Sequence, residues 1–207
     1  MSALITFEGG DGAGKTTLIE KVYQYLEQEG HKVTRTRAPG GTKIGAEIRR
    51  LLLSKHEESM SSRCELLLFL ADRAQHVDEV IRPALDQHHI VLCDRYNDST
   101  LAYQGARGFN EKMLKQYLTF ASDSLIPDLT LYLDLDPKIG FERTKIARLG
   151  ADRIESEALA FHRKIRTAFR KIAKREPRRF ALIDAELSET QVFEHAKKKI
   201  DELLHRK

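Results

Sequence analysis

The stretch LITFEGGDGAGKTT, residues 4 to 17, leaves a chain little choice in how its first layer folds. Its apolar start reads as a strand, its glycines as a tight loop, and Lys15-Thr16-Thr17 as the opening of a helix. Gly9, Gly10, Asp11, Gly12, Ala13, Gly14, Lys15 and Thr16 fit the pattern G-x-x-x-x-G-K-[ST]. That pattern is a P-loop, whose main-chain amides face phosphate oxygens while the following helix adds the partial positive charge of its N-terminus. Glycines at 9, 10, 12 and 14 permit positive φ and the sharp turn the loop needs. Residues 9 to 17 therefore form a candidate nucleotide cradle, with Lys15 spanning the β and γ phosphates and Thr16 placed to ligate magnesium.

The rest of the chain alternates strands and helices. Leu18, Val22 and Leu26 mark the buried side of the first helix, with Gly30 as its stop, and a strand over 32 to 37 ends at PGG, residues 39 to 41. Ile44, Ile48, Leu51 and Leu52 predict an amphipathic helix, and serines near 59 to 62 cap a long one that buries Leu66, Leu67, Leu70 and Ala74 and runs to about Leu85. HIVLCD is a short buried strand ending at Asp94; Asn110 caps a helix to about Ala121; DLTLYLDL is a strand; a helix starts near Pro137; and a basic helix, the strand RFALID and a final amphipathic helix follow. Short, nearly continuous apolar strands between helices predict an α/β fold with a five-stranded parallel sheet covered on both faces. Ligands then gather beyond the carboxyl ends of the strands, where the P-loop, RAPGG, DRYNDST and the loop after Asp184 converge.

Length and composition bound this reading. A chain of 207 residues suits one well-cored domain, residues 1–207, and no linker or repeat divides it. Hydrophobic content of 41% with 32% charged residues is ordinary for a soluble protein, and no stretch approaches the roughly 20 apolar residues of a membrane span. No basic region precedes an apolar one at the N-terminus, so no signal peptide is expected. Two cysteines, Cys64 and Cys93, make no disulfide framework and fit a reducing cytoplasm. The net charge of +4 suits either nucleic acid or a phosphate-handling site. The densest basic run, residues 162 to 179, follows Phe161 and carries Ile165, Phe169 and Ile172 at helical spacing, which favours a solvated basic face over a nucleic-acid patch.

Two further features bear on phosphate chemistry. Asp94, just past an apolar strand, suits a carboxylate holding magnesium through water, although a turn or helix cap would use the same residue. The basic loop over about 143–155 places Arg143, Lys145, Arg148 and Arg153 around a glycine. Such arginines stabilise a transferring phosphoryl group when they close over it as a short lid.

FEGGDGAGKTT, RAPGGT at 37 to 42, LLLFLADRAQH at 66 to 76, DRYNDSTLAYQG at 94 to 105 and DRIE at 152 to 155 together resemble the thymidylate kinases. The resemblance runs from about residue 3 to 160 in family order. It implies a P-loop nucleoside monophosphate kinase-like fold, phosphorylation of dTMP to dTDP with ATP and Mg2+ in dTTP biosynthesis, a cytoplasmic homodimer, and no nucleic-acid or membrane partner. Carried onto matching positions, it implies that Arg95 and Arg49 bind the dTMP phosphate. Phe69 stacks on thymine and Arg73 donates to a base carbonyl. Ser99, Thr100 and Gln104 are polar contacts to the base, and Tyr103 packs on deoxyribose. Asp11 would sit near the acceptor sugar and phosphate. The P-loop interior has no basic residue, so the arrangement resembles the bacterial one, with Arg148 as the transition-state clamp and Arg143 a second. One departure is Ala38, where many relatives carry a carboxylate. The catalytic set is thus Lys15, Arg95, Arg148, Asp11 and Arg143, with Thr16 and Asp94 toward the metal. Alternatives are another nucleoside or nucleoside monophosphate kinase, or a nucleotide-dependent switch.

Overall fold

The computed structural model describes residues 2–54, 59–147, 153–154 and 157–205, with the backbone alone at 145–147. Arg148, the expected clamp, lies outside the described residues, as does the side chain of Lys145. Five strands, β1 (Ala3–Gly9), β2 (Val33–Arg37), β3 (Ile90–Asp94), β4 (Leu129–Asp134) and β5 (Phe180–Asp184), form one parallel sheet in the order β2-β3-β1-β4-β5, as the alternation of elements predicts. The register aligns Phe7 and Arg37 with Asp94, Gly9 with Leu133, and Asp134 with Asp184. The carboxyl ends therefore share one edge. Because β1 leads toward β2 while its neighbour β3 leads toward β4, their loops leave that edge in opposite directions and open a crevice between them.

Side chains alternate across β1. Ile5 and Phe7 pack with Leu131, Leu133 and Ile183 beneath α1 (Lys15–Gln28) and α9 (Glu189–Leu204), which contribute Leu18, Val22, Leu26, Val192, Ala196 and Ile200. Each of the larger of these side chains, fully buried, contributes about 1.5–3 kcal/mol. On the opposite face Leu4 meets Val77, Ile81 and Val91, and Tyr132 stacks on Phe169 of α8 (Leu159–Arg175) with ring centroids 4.7 Å apart. Thr6 and Glu8 share that face and are fully buried. Ile165, Phe169 and Ile172 of α8 are buried as the periodicity predicts, while Phe161 is half-buried. The basic side of α8 is partly occupied: Arg166 and Arg170 donate to Asp134 at 2.8 and 3.0 Å. Burial works against the Asp134 charge, but those two hydrogen bonds outweigh it and hold the carboxyl below its usual range.

Several expectations change. In α2 (Lys43–Leu53) only Leu52 of the four apolar positions is buried, and Ile44 and Leu51 face solvent. Capped by Ser61, α3 (Ser62–His76) turns Glu65, Leu66, Asp72, Arg73 and His76 inward, while Leu67 is 62% exposed and Leu70 and Ala74 are half-buried. Of the four apolar positions Leu66 alone is fully buried, because much of the inward face looks onto a polar crevice. The helix does not run on unbroken to Leu85: a π-helical turn, Val77–Ile81, leads into α4 (Arg82–Asp86). The segment after Asp94 is helical as well, forming α5 (Asn97–Ala106) ahead of α6 (Glu111–Ala121). The helix that starts at Pro137 is α7 (Pro137–Ala147).

Candidate active site

The P-loop closes the edge of β1. Gly14 adopts φ 90° as the N-cap of α1 and offers no side chain, so the first amides of the helix stay available to a ligand. Gly9, Gly12 and Gly14 have positive φ, whereas Gly10, expected to share that conformation, does not. Gly12 is the most constrained. At φ 74° it lies against α7, and a Cβ there would come within 2.5 Å of the Gly140 carbonyl oxygen. In turn, a Cβ on Gly140 would meet the Asp11 carbonyl oxygen at 2.4 Å. Gly140 thus supports the loop, a role that a glycine inside a predicted helix signals only weakly. Lys15 is buried and donates to the carbonyls of Gly10 at 2.9 Å and Gly9 at 3.2 Å. Burial, then the nearby Arg95, lower its pKa despite the opposing charges of Asp94, Asp11 and Glu8.

A cleft of about 520 Å³ runs from this loop toward α3 and α5. Asp11, Lys15, Thr16, Thr17, Arg49, Phe69, Arg73, Asp94, Arg95, Ser99, Thr100, Tyr103, Gln104 and Arg143 all line it. Arg95 holds the middle at φ 68°, its guanidinium donating to Asp11 at 3.0 Å and to Ser99 at 3.3 Å. Burial opposes its charge, but Tyr103, Asp11, Asp94 and Glu8 together raise its pKa. Arg49 donates to the Pro39 carbonyl at 2.9 Å. At the far end Phe69 and Arg73, four residues apart, share one face of α3. The Arg73 guanidinium lies 4.1 Å over the Tyr96 ring, and its buried Nε and Nη1 make no hydrogen bond among the described residues. An unpaired buried donor is costly, so this end is built for an acceptor. Arg143 donates to Ala185 at 3.1 Å and to Gly12 at 3.4 Å, carbonyls on the P-loop side. Ala38 is buried and also lines the cleft, and its amide donates to the Asp94 carbonyl at 2.9 Å.

Three residues matter here that sequence reasoning missed. Glu8 accepts from the Tyr96 amide at 2.7 Å, the Ser99 amide at 3.2 Å and the Ser99 hydroxyl at 2.5 Å. It therefore caps α5 from β1 and fastens the helix that carries Arg95's neighbour. Ser99, expected at the base, spends its hydroxyl on Glu8 and Arg95. Tyr96 forms the floor beneath Arg73. Glu65, two turns before Arg73, is the third. The signal for Glu8 was a carboxylate inside the central strand, one residue before the glycine loop.

Burial, with Asp98 adding to it, pushes the Glu8 carboxyl up to about 7 against the opposing pull of Ser99 and Arg95. A carboxyl raised above its unfolded value binds its proton more tightly in the folded state, so its stabilising contribution is full below about pH 4.5 and is lost as pH rises through about 7. In thermal melts the melting temperature of the parent relative to Glu8→Gln is expected to fall between about pH 4.5 and 7 and to level off above that. A constant difference over that range would show that Glu8 does not titrate there.

The thymidylate kinase family matches residues 7–196. The chain belongs to that family. Among its relatives, the thymidylate kinase of Protochlamydia amoebophila is 48% identical over 96% of this chain and 92% of its own length. That of Desulfovibrio desulfuricans is 46% identical over 98% and 97%. The crystal structure of the thymidylate kinase of Ehrlichia chaffeensis superposes with a TM-score of 0.75 at 34% identity, covering 96% of this chain and 98% of that one. The thymidylate kinase fold, a P-loop nucleoside monophosphate kinase fold, is thus the fold of this five-stranded sheet.

Proposed function

We propose that the protein transfers the γ-phosphoryl group of ATP to dTMP, giving dTDP and ADP, as one kinase domain spanning residues 1–207. The observation that carries this reading is a single cleft with a P-loop at one end, at the other an aromatic and a buried arginine whose Nε and Nη1 make no hydrogen bond among the described residues, and Arg95 between them. The amides of residues 9 to 17 cradle the ATP phosphates, with Lys15 beside them. The dTMP phosphate faces Arg95 and Arg49, its deoxyribose packs on Tyr103, and its base stacks on Phe69 within reach of Arg73, Thr100 and Gln104. Asp11 holds the Arg95 fork in place. Arg143, with Arg148 of the lid, neutralises the phosphoryl group in flight.

The residues present fit magnesium. The buried Oδ1 of Asp94 has no hydrogen-bond partner among the described residues, Thr16 lines the same cleft, and the described residues hold no larger cluster of His, Cys, Asp or Glu. That lean set suits an ion that keeps several waters and takes most of its other ligands from phosphate. When bound, Mg2+ supplies charge neutralisation across the β and γ phosphates.

The attacking atom is a dTMP phosphate oxygen, already ionised near neutrality, so no general base is required. An oxygen to γ-phosphorus bond forms as the bond to the β-phosphate oxygen breaks, and the electron pair leaves on ADP. The protein aligns two anions and cancels their repulsion. The test is coupled ADP release with MgATP, offering dTMP, dUMP, dCMP, dGMP, AMP and thymidine separately. Strong turnover of dTMP is expected, with weak turnover of dUMP, because a methyl group in an apolar pocket is worth only about 1–3 kcal/mol. A preference for thymidine or another monophosphate would overturn the base assignment, and acceptor-independent turnover would favour a nucleotide switch.

The same reading makes the protein a homodimer. Leu67 on α3 and Tyr117 and Phe120 on α6 are 62%, 44% and 88% exposed, on two helices that pack together. Apolar groups this exposed on adjoining helices mark an interface. Pairing Leu67→Asp with Phe120→Asp is expected to halve the mass seen by light scattering, and a parent protein already of monomer mass would remove the dimer. Free cysteines at 64 and 93 suit the reducing cytoplasm that this function requires. Among the described residues no helix is long and apolar enough to cross a membrane.

A further inference from the structure

Glu65 is 2% exposed, and such burial of a carboxylate needs several donors. Arg107 supplies two, from Nε at 2.7 Å and Nη2 at 3.2 Å. Arg153 supplies another from Nη2, while its Nε donates to the Leu52 carbonyl at 2.9 Å. The remaining donor is Gln104 Nε2, 3.0 Å from Glu65 Oε1. Both guanidiniums are fixed elsewhere too, Arg107 on Glu157 at 2.9 Å and over the Phe161 ring at 4.8 Å. The carboxylate is therefore held from several directions and cannot swing away from Gln104.

A carboxylate between two guanidiniums offers lone pairs and no proton. Of the two ends of the Gln104 amide, only the NH2 can face it. The carbonyl is left for the cleft, which Gln104 lines beside Phe69, Arg73 and Thr100. An acceptor fixed there pairs with a ring N–H and meets a ring nitrogen lone pair with repulsion. Thymine and uracil carry N–H at N3, whereas cytosine carries a lone pair.

We propose that Glu65 is a positioning residue that locks the Gln104 amide with its carbonyl toward the base, and so makes the cleft select a pyrimidine with an N3–H over cytosine. The inference rests on the placement of the base beside Phe69 and Arg73. Glu65 touches no substrate and acts through Gln104. Its effect is distinct from methyl recognition, which separates thymine from uracil.

The experiment compares kcat/KM for dTMP, dUMP and dCMP in the parent, Glu65→Gln and Gln104→Met, with the inhibition constant of dCMP against dTMP used where dCMP turnover is too slow. An amide at 65 can donate or accept, so Gln104 is free to turn over. The dTMP to dCMP ratio is expected to fall about tenfold or more in Glu65→Gln, through KM more than kcat, while the dTMP to dUMP ratio holds. Gln104→Met removes the acceptor without disturbing the arginines on Glu65 and is expected to lower the same ratio, which keeps the test decisive if Glu65→Gln folds poorly. An unchanged dTMP to dCMP ratio in either folded variant, or a parallel fall in both ratios, overturns the inference. A parent enzyme that turns over no dTMP would instead overturn the function on which it rests.

Discussion

Arg95→Ala is expected to lower kcat/KM for dTMP by about 10³-fold or more, the size seen when a preorganised charge aimed at a phosphoryl transition state is removed. The loss has two sources. The first is the missing guanidinium, which stands between the P-loop end and the base end of the cleft. The second is the carboxylate that it leaves behind. Asp11 pairs with Arg95 at 3.0 Å, both about 20% exposed, and without that partner it faces the incoming phosphates as an added negative charge. The double variant Arg95→Ala with Asp11→Asn is therefore expected to recover about tenfold in KM for dTMP, the equivalent of roughly 1.4 kcal/mol of removed repulsion. Arg95 also sits at φ 68°, where alanine is strained and glycine is not. Arg95→Gly should fold at least as stably as Arg95→Ala and show the same kinetic loss, which separates the charge from the backbone. Steady-state kinetics with MgATP in excess measure all three variants. A loss under tenfold in the single variants would place the dTMP phosphate elsewhere.

The donor half of the site was legible because its residues are local. Four glycines and Lys15-Thr16 lie within eight positions at the end of a strand, and each acts through backbone geometry that spacing alone prescribes. The acceptor half is assembled from α2, α3, α5 and the turn after β3, so Arg49, Phe69, Arg73, Arg95 and Gln104 share no period. Only the ordered resemblance joined them before the fold did, and all five do line one cleft. Two things stayed hidden for physical reasons. Periodicity finds the stripes of a helix but not which stripe faces inward, so it does not tell the exposed Leu67 from a core residue or mark Glu65 as buried. A buried strand is recognised by its apolar run, which gives no sign of the buried Thr6 and Glu8 on the alternate face of β1. Those polar groups are tolerated in the interior because each has partners: Thr6 meets Thr130 at 2.8 Å, and Glu8 takes the amino end of α5.

Gly12→Ala is expected to cost both stability and turnover, because the loop touches the fold at that point and not merely the ligand. A Cβ at 12 meets the Gly140 carbonyl oxygen at 2.5 Å, a backbone atom that cannot rotate aside. The positive φ of 74° adds strain that alanine does not relieve. Either the loop lifts from α7 or α7 shifts, and both displace Asp11 and with it the partner of Arg95. A penalty of about 2–4 kcal/mol is in the range of overpacking plus backbone strain, which for a chain of this size lowers the melting temperature by roughly 4 to 16 °C. Turnover should fall about 10²-fold, since an error of about 1 Å in placing reacting groups costs that much. Gly10→Ala is the comparison within the same loop. Gly10 has ordinary φ, and a Cβ there meets nothing within 4 Å, so its melting temperature should stay within about 2 °C of the parent. Differential scanning calorimetry of the two variants separates a loop that is merely glycine-rich from one seated on Gly140: equal melting temperatures would mean that the contact with α7 carries no load.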